Sequence, residues 1–254
     1  LGAIISNQKI QAYNNDSTAI VFDMTSVFLS DNKKMSPFDR NSIYGMYNRT
    51  ESYQSDCSYI SQIKAFKDNV SIKSCLSYTF SVSNSQGTSL IKDRPFTAEM
   101  TRSIMLLKEK PYRPRMADYR IGVFFTGREQ LGEGAKTTAP VYYANRWDIQ
   151  PSDTAAYLRG EKVKPTKQIV FYIENTFPEK WKPYLREGVT QWNELFEQIG
   201  FKDVVAAKDF PTDDPEFDPD NIKYSCVRYA PSSIENAMGP SWVDPRSGEI
   251  LNAS

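Results

Sequence analysis

From Cys75 to Val82 the chain alternates with period two. Leu76, Tyr78, Phe80 and Val82 fall on one face, and Ser77, Thr79 and Ser81 on the other. Successive side chains of a strand point to opposite faces, so the pattern predicts a half-buried antiparallel strand. Similar short apolar runs at Ser17–Met24, Val27–Leu29, Thr101–Leu107 and Ile121–Phe125, and the aromatic segment holding Tyr142, Tyr143 and Trp147, predict further strands. Ser83–Gly87 supplies a turn, and Lys110–Pro114 a proline-rich connector. Residues 1–150 are therefore expected to form a β-rich N-terminal domain. Residues 151–166, polar with a proline at each end, read as a linker or a surface excursion.

The period then changes. Lys167–Glu174 is a largely apolar strand, after which Trp181, Leu185, Val189, Trp192, Phe196 and Ile199 recur every three or four residues. That spacing predicts one helix with a continuous apolar stripe, Trp181 and Trp192 being core residues on it. Thr176 and Glu179 fit a capping box, and Pro183 suits a first turn, where its missing N–H costs nothing. Gly200 is placed as the left-handed residue past the helix end, with Phe201 folding back on the last turn. Asp203–Ala207 and Ile222–Tyr229 predict two more strands. The tight turn Asp244–Gly248 opens a last one, so residues 167–254 read β-α-β-β-β. The fold class expected is α+β, with the helix packed on one face of a twisted sheet.

Composition narrows the chemistry. Acidic and basic residues balance at 31 each, so no global field favours nucleic acid or an anionic membrane. The apolar runs are too short to predict a transmembrane segment. No histidine occurs, which excludes Ser-His-Asp and Cys-His nucleophile systems and any His-ligated zinc within these residues. Of the three cysteines, Cys57 and Cys75 could pair in an extracytoplasmic chain, or could remain buried thiols. Neither has a basic partner in the sequence that would make it a nucleophile.

Other motifs are weaker. Gly127–Thr137 resembles a phosphate loop, but Glu133 stands after Gly132 where that loop needs its lysine, so a flexible surface loop is expected. Asp213, Asp214, Glu216, Asp218 and Asp220 crowd one loop; a solvated acidic loop is the first reading and a calcium site the second. Glu187 and Glu194 lie two turns apart on the polar helix face, and neither they nor Glu174 is assigned a catalytic role. No catalytic residue and no metal ligand is assigned anywhere in the chain.

The segments "KQIVFYIENTFPEKWKPYLREGVTQWNELFEQIGFKDVVAAKD", "IKYSCVRY" and "AMGPSWVDPRSGEILNAS" resemble a family of large bacterial zinc-dependent metalloproteases of the metzincin-like kind. "MADYRIGVFF" and "YYANRWDIQPSD" resemble the end of that family's N-terminal domain of unknown function. The resemblance implies a zincin catalytic domain whose first half is residues 167–254. A helix carrying His-Glu-x-x-His would follow, gripping zinc and activating water for peptide hydrolysis. It further implies a periplasmic, secreted or surface location, a peptide or protein substrate, and the remainder of the catalytic domain as partner. Zinc is accordingly expected in the longer protein and not in this chain, Ser254 being expected to fall inside that domain. The resemblance places an edge strand for substrate at Met238, Gly239, Pro240, Ser241 and Trp242, with Pro240 removing one donor from it. The alternative is a non-enzymatic, extracytoplasmic module that binds peptide or glycan.

Overall fold

A computed structural model describes residues 6–32, 35–38, 47–131, 137–231 and 236–254. Contacts divide the chain into two compact units, Leu1–Ile104 and Met105–Ser254. The described residues are strand-rich, with few and short helices.

In the first unit β1 (Ile10–Tyr13) and β2 (Ile20–Phe22) form an antiparallel hairpin, followed by the single-turn helix α1 (Thr25–Phe28). The segment Val27–Leu29, expected as strand, is thus mostly helical. Its Val27 and Phe28 pack with Ile72 in a small core. Next come β3 (Tyr47–Ala65), β4 (Asn69–Asn84) and β5 (Ser89–Met105), a three-stranded sheet in chain order. Leu76 and Tyr78 on the central strand are almost wholly buried, as their period-two pattern predicts. Gly87 turns the chain between β4 and β5 at φ +82°. Cys57 lies where the β3–β4 register shifts, between Gln54 and Tyr59. It is an exposed free thiol, and Cys75 on β4 is a buried free thiol, so the two do not pair.

The second unit opens with β6 (Phe125–Leu131) and β7 (Thr138–Ala144), an antiparallel pair. Only Phe125 of the expected Ile121–Phe125 strand enters a ladder. Residues 127–131 of the loop resembling a phosphate site belong to β6, and the glycines and lysine at 132–136 lie outside the described residues. The stretch read as a linker is packed: it carries α2 (Thr154–Leu158), and Ala156 and Val163 enter the main core. Polarity was a poor guide there because two small apolar side chains suffice to dock a short segment.

β8 (Ile169–Ile173) lies between β9 (Val205–Asp209) and β10 (Ser225–Val227), parallel to both. Parallel neighbours need a crossover, here made by α3 (Lys182–Thr190) and α4 (Asn193–Gln198). The predicted single helix is interrupted at Gln191–Trp192. The cause lies in Asn193, whose amide accepts from the N–H groups of Val204 and Val205 and donates to the Val205 carbonyl at 2.8–2.9 Å. The break turns this side chain onto the start of β9, where it stands in for a neighbouring strand. It also rotates the stripe. Val189 and Phe196 reach the core, but Trp181 is 44% and Trp192 60% exposed, so the tryptophans are not core residues. Trp181 instead meets Tyr229 edge-on at 5.9 Å.

The capping box does not form. α3 starts after Trp181 with no side-chain cap, Pro183 sits in its first turn, and Glu179 receives the buried Lys182 ammonium at 2.6 Å. Gly200 takes φ +87° against the Tyr157 ring, where a Cβ would come within 2.9 Å of a ring carbon, and Phe201 is buried beside it.

Candidate functional site

The chain's last segment is a hairpin of β11 (Ser241–Val243) and β12 (Ile250–Ala253), paired antiparallel about the turn Asp244–Gly248. The turn is locked from inside. Asp244 is fully buried, and its carboxylate accepts from the Arg246 N–H and from Arg246 Nε and Nη2 at 2.8–3.0 Å. These bonds hold the Asp244 carboxyl below its ordinary range and raise the arginine in turn. Ser247 and Glu249 are also buried. Gly248 has φ +77°, and a Cβ there would meet the Ala144 carbonyl oxygen at 2.5 Å, so only glycine allows this approach.

That approach joins the turn to distant segments. Arg146 N–H donates to the Gly248 carbonyl and Ile250 N–H to the Arg146 carbonyl, both at 2.9 Å. Arg146 itself stacks over the Tyr112 ring at 4.4 Å, Lys108 Nζ meets Glu249 Oε1 at 2.5 Å, and Arg246 Nη2 donates to the Lys108 carbonyl at 2.6 Å. On its other side β12 is tied to β10 by side chains rather than by a ladder. Asn252 Nδ2 donates to the carbonyls of Ile222 and Tyr224, and Ala253 N–H to Ser225 Oγ. The spatial order is therefore β9, β8, β10, β12, with β11 outermost. Among the described residues β11 pairs with no strand but β12, which makes it an edge strand.

Of the five residues assigned to this edge, Ser241 and Trp242 lie in β11, while Met238, Gly239 and Pro240 precede it as exposed extended chain. Pro240 stands just before the strand and removes no donor from the β11–β12 ladder. Gly239, Pro240 and Ser241 line a groove of about 280 Å³ together with Phe124, Phe125 and Ile250. Met238 and Trp242 are exposed but not part of that groove. Phe124 and Phe125 had no signal of their own in the sequence, because what brings them here is the Gly248–Ala144 approach.

The residues suited to acid, base or metal chemistry do not converge. Among the described residues no group of three or more histidine, cysteine, aspartate or glutamate side chains could hold a metal ion, and the acidic loop at 213–220 is no exception. Burial pushes the Cys226 thiol up to about 11, so at neutral pH it is protonated and no nucleophile. Glu174 is engaged by the Tyr229 N–H at 2.8 Å. What the site offers is a strand edge and a groove beside it. No helix of the described residues is long and apolar enough to cross a membrane.

No curated protein and no solved structure matches this chain. A family match does cover more than half of it: over residues 1–152 the chain belongs to the family described as a domain of unknown function, DUF5117.

Proposed function

We propose that this chain is the substrate-binding part of a zinc-dependent metalloendopeptidase acting outside the cytoplasm. In this reading residues 1–150 are its N-terminal domain and residues 167–254 the first half of a zincin-like catalytic domain. The family resemblance of the segments in 167–254 motivates the reading. The observation that carries it is the outermost strand β11, with one edge unpaired and a groove lined by Gly239, Pro240 and Ser241 alongside. A peptide laid on that edge in extended form would pair with its backbone groups, adding a strand, while alternate side chains face the groove.

These residues do not fit a zinc site. The sequence has no histidine, and no cluster of carboxylates and thiols replaces it among the described residues. No hydrolytic step is derived from this chain: its own part is to hold and align the substrate backbone, and any metal would be held by residues outside it.

The test uses the full-length gene product and a quenched peptide substrate. Turnover that a chelator abolishes and zinc restores is expected, together with about a tenfold loss of kcat/KM in Gly239→Pro and Trp242→Ala. Turnover unchanged in both variants overturns the edge assignment. Peptide binding with no cleavage at all replaces the peptidase by the binding module.

A further inference from the structure

An apolar cavity of the first unit lies among β1, β2, α1 and β5. It measures about 570 Å³, and its lining includes Ile10, Ile20, Phe22, Val27 and Ile104. That volume is in the range of small-molecule sites. Ile10, Ile20, Phe22 and Ile104 are also partly open to solvent, so the cavity continues into an exposed apolar mouth. The covering hairpin β1–β2 has only two strands, with every residue exposed, and such a pair holds weakly by itself. A ligand therefore has a way in.

Among the described residues of this mostly apolar lining one is charged, Arg102. Its Nη2 donates to the Phe28 carbonyl at 3.0 Å, and the guanidinium lies 5.4 Å from the Phe28 ring centre. Its Nε and Nη1 are buried and donate to no acceptor. No carboxylate among the described residues neutralises it; the charged-state neighbours that act on it are the phenols of Tyr53 and Tyr78, and burial outweighs them. A half-buried cation with idle inner donors costs free energy unless an anion supplies both charge and acceptor, which here requires the guanidinium to turn toward the cavity.

We propose that this cavity binds a fatty carboxylate, its alkyl chain among the isoleucines and Phe22 and its carboxylate on Arg102. A single guanidinium, with no second cation among the described lining residues, matches a monoanion better than a phosphate, whose second charge would be left uncompensated. The inference concerns the first unit alone and does not depend on the peptidase reading.

Calorimetry on the 254-residue chain with decanoate and with decanol tests it. Decanoate is expected to bind at least about tenfold more tightly than the alcohol, a difference of ~1.4 kcal/mol. Arg102→Met should erase that difference, and Ile20→Asp, at the exposed mouth, should weaken decanoate more than decanol. The acid-to-alcohol comparison needs no variant, so it stands even where Arg102→Met fails to fold. Equal affinity for the two ligands would leave only an apolar trap and overturn the role of Arg102. No binding of decanoate at millimolar concentration would overturn the site itself.

Discussion

In the first unit the strands β3, β4 and β5 pair with the strands next to them in sequence, and a turn such as that at Gly87 is enough to set their order. In the second unit β8 is flanked by two strands that reach it only through helices or a long acidic loop, and the outer hairpin β11–β12 is fixed to its surroundings largely by side chains. The first arrangement is stabilised by a long ladder, continuous but for two register shifts between β3 and β4. The second concentrates its register in a few contacts: Asn193 of α4 against the start of β9, Asn252 of β12 against the start of β10, and Gly248 against Ala144. Single substitutions should therefore act more sharply and more locally in the second unit.

The largest effect is expected at Gly248. Gly248→Ala must take a left-handed backbone conformation and push against a carbonyl oxygen, at a cost of about 3 kcal/mol or more. Hydrogen exchange should accelerate in β11 and β12 while the β4 amides stay protected. Acceleration of equal size in both units would erase the contrast between them.

A middle effect is expected at Asp244. Asp244→Asn weakens the bonds to Arg246 and should cost about 2 kcal/mol, measured by urea unfolding at neutral pH. The pH dependence has a definite sign. The folded carboxyl lies below its ordinary value, so its contribution is present above about pH 4 and is lost as pH falls through the lower folded value. The variant should therefore converge with the natural chain in acid. A gap that persists at pH 2 would assign the stabilisation to packing rather than to charge.

The smallest effect separates two kinds of apolar position on one helical stripe. Trp192→Ala, at a 60% exposed site, should change stability by under about 0.5 kcal/mol. Phe196 packs against the core, and Phe196→Ala should cost about 3 kcal/mol. Similar losses from both would restore the single continuous helix that the spacing predicts.

The period-two reading of Cys75–Val82 located the central strand, and the placement of Pro183 and Gly200 near the helix ends also held. Those features depend on groups within a few residues of each other, and the chain's own chemistry determines them. The helix stripe was legible as a period but not in its length, because Asn193 answers to β9, a strand beyond the helix. Residues 151–166 looked polar enough to stand apart, yet Ala156 and Val163 dock them in the core. For the candidate site, the turn Asp244–Gly248 and the strand after it were readable, whereas the edge strand was placed by resemblance alone and Phe124, Phe125, Lys108 and Arg146 join it across a long loop.

By itself the sequence determined the alternation of strands, the turn glycines, the balanced charge and the absence of any imidazole chemistry, since each is a property of residue type or near-neighbour spacing. Among the described residues, the tertiary structure alone decided which strand stands at the edge, which aromatics reach the groove and which half-buried arginine has no carboxylate beside it. Burial and partnership are set by segments far apart in the chain, and no local pattern encodes them.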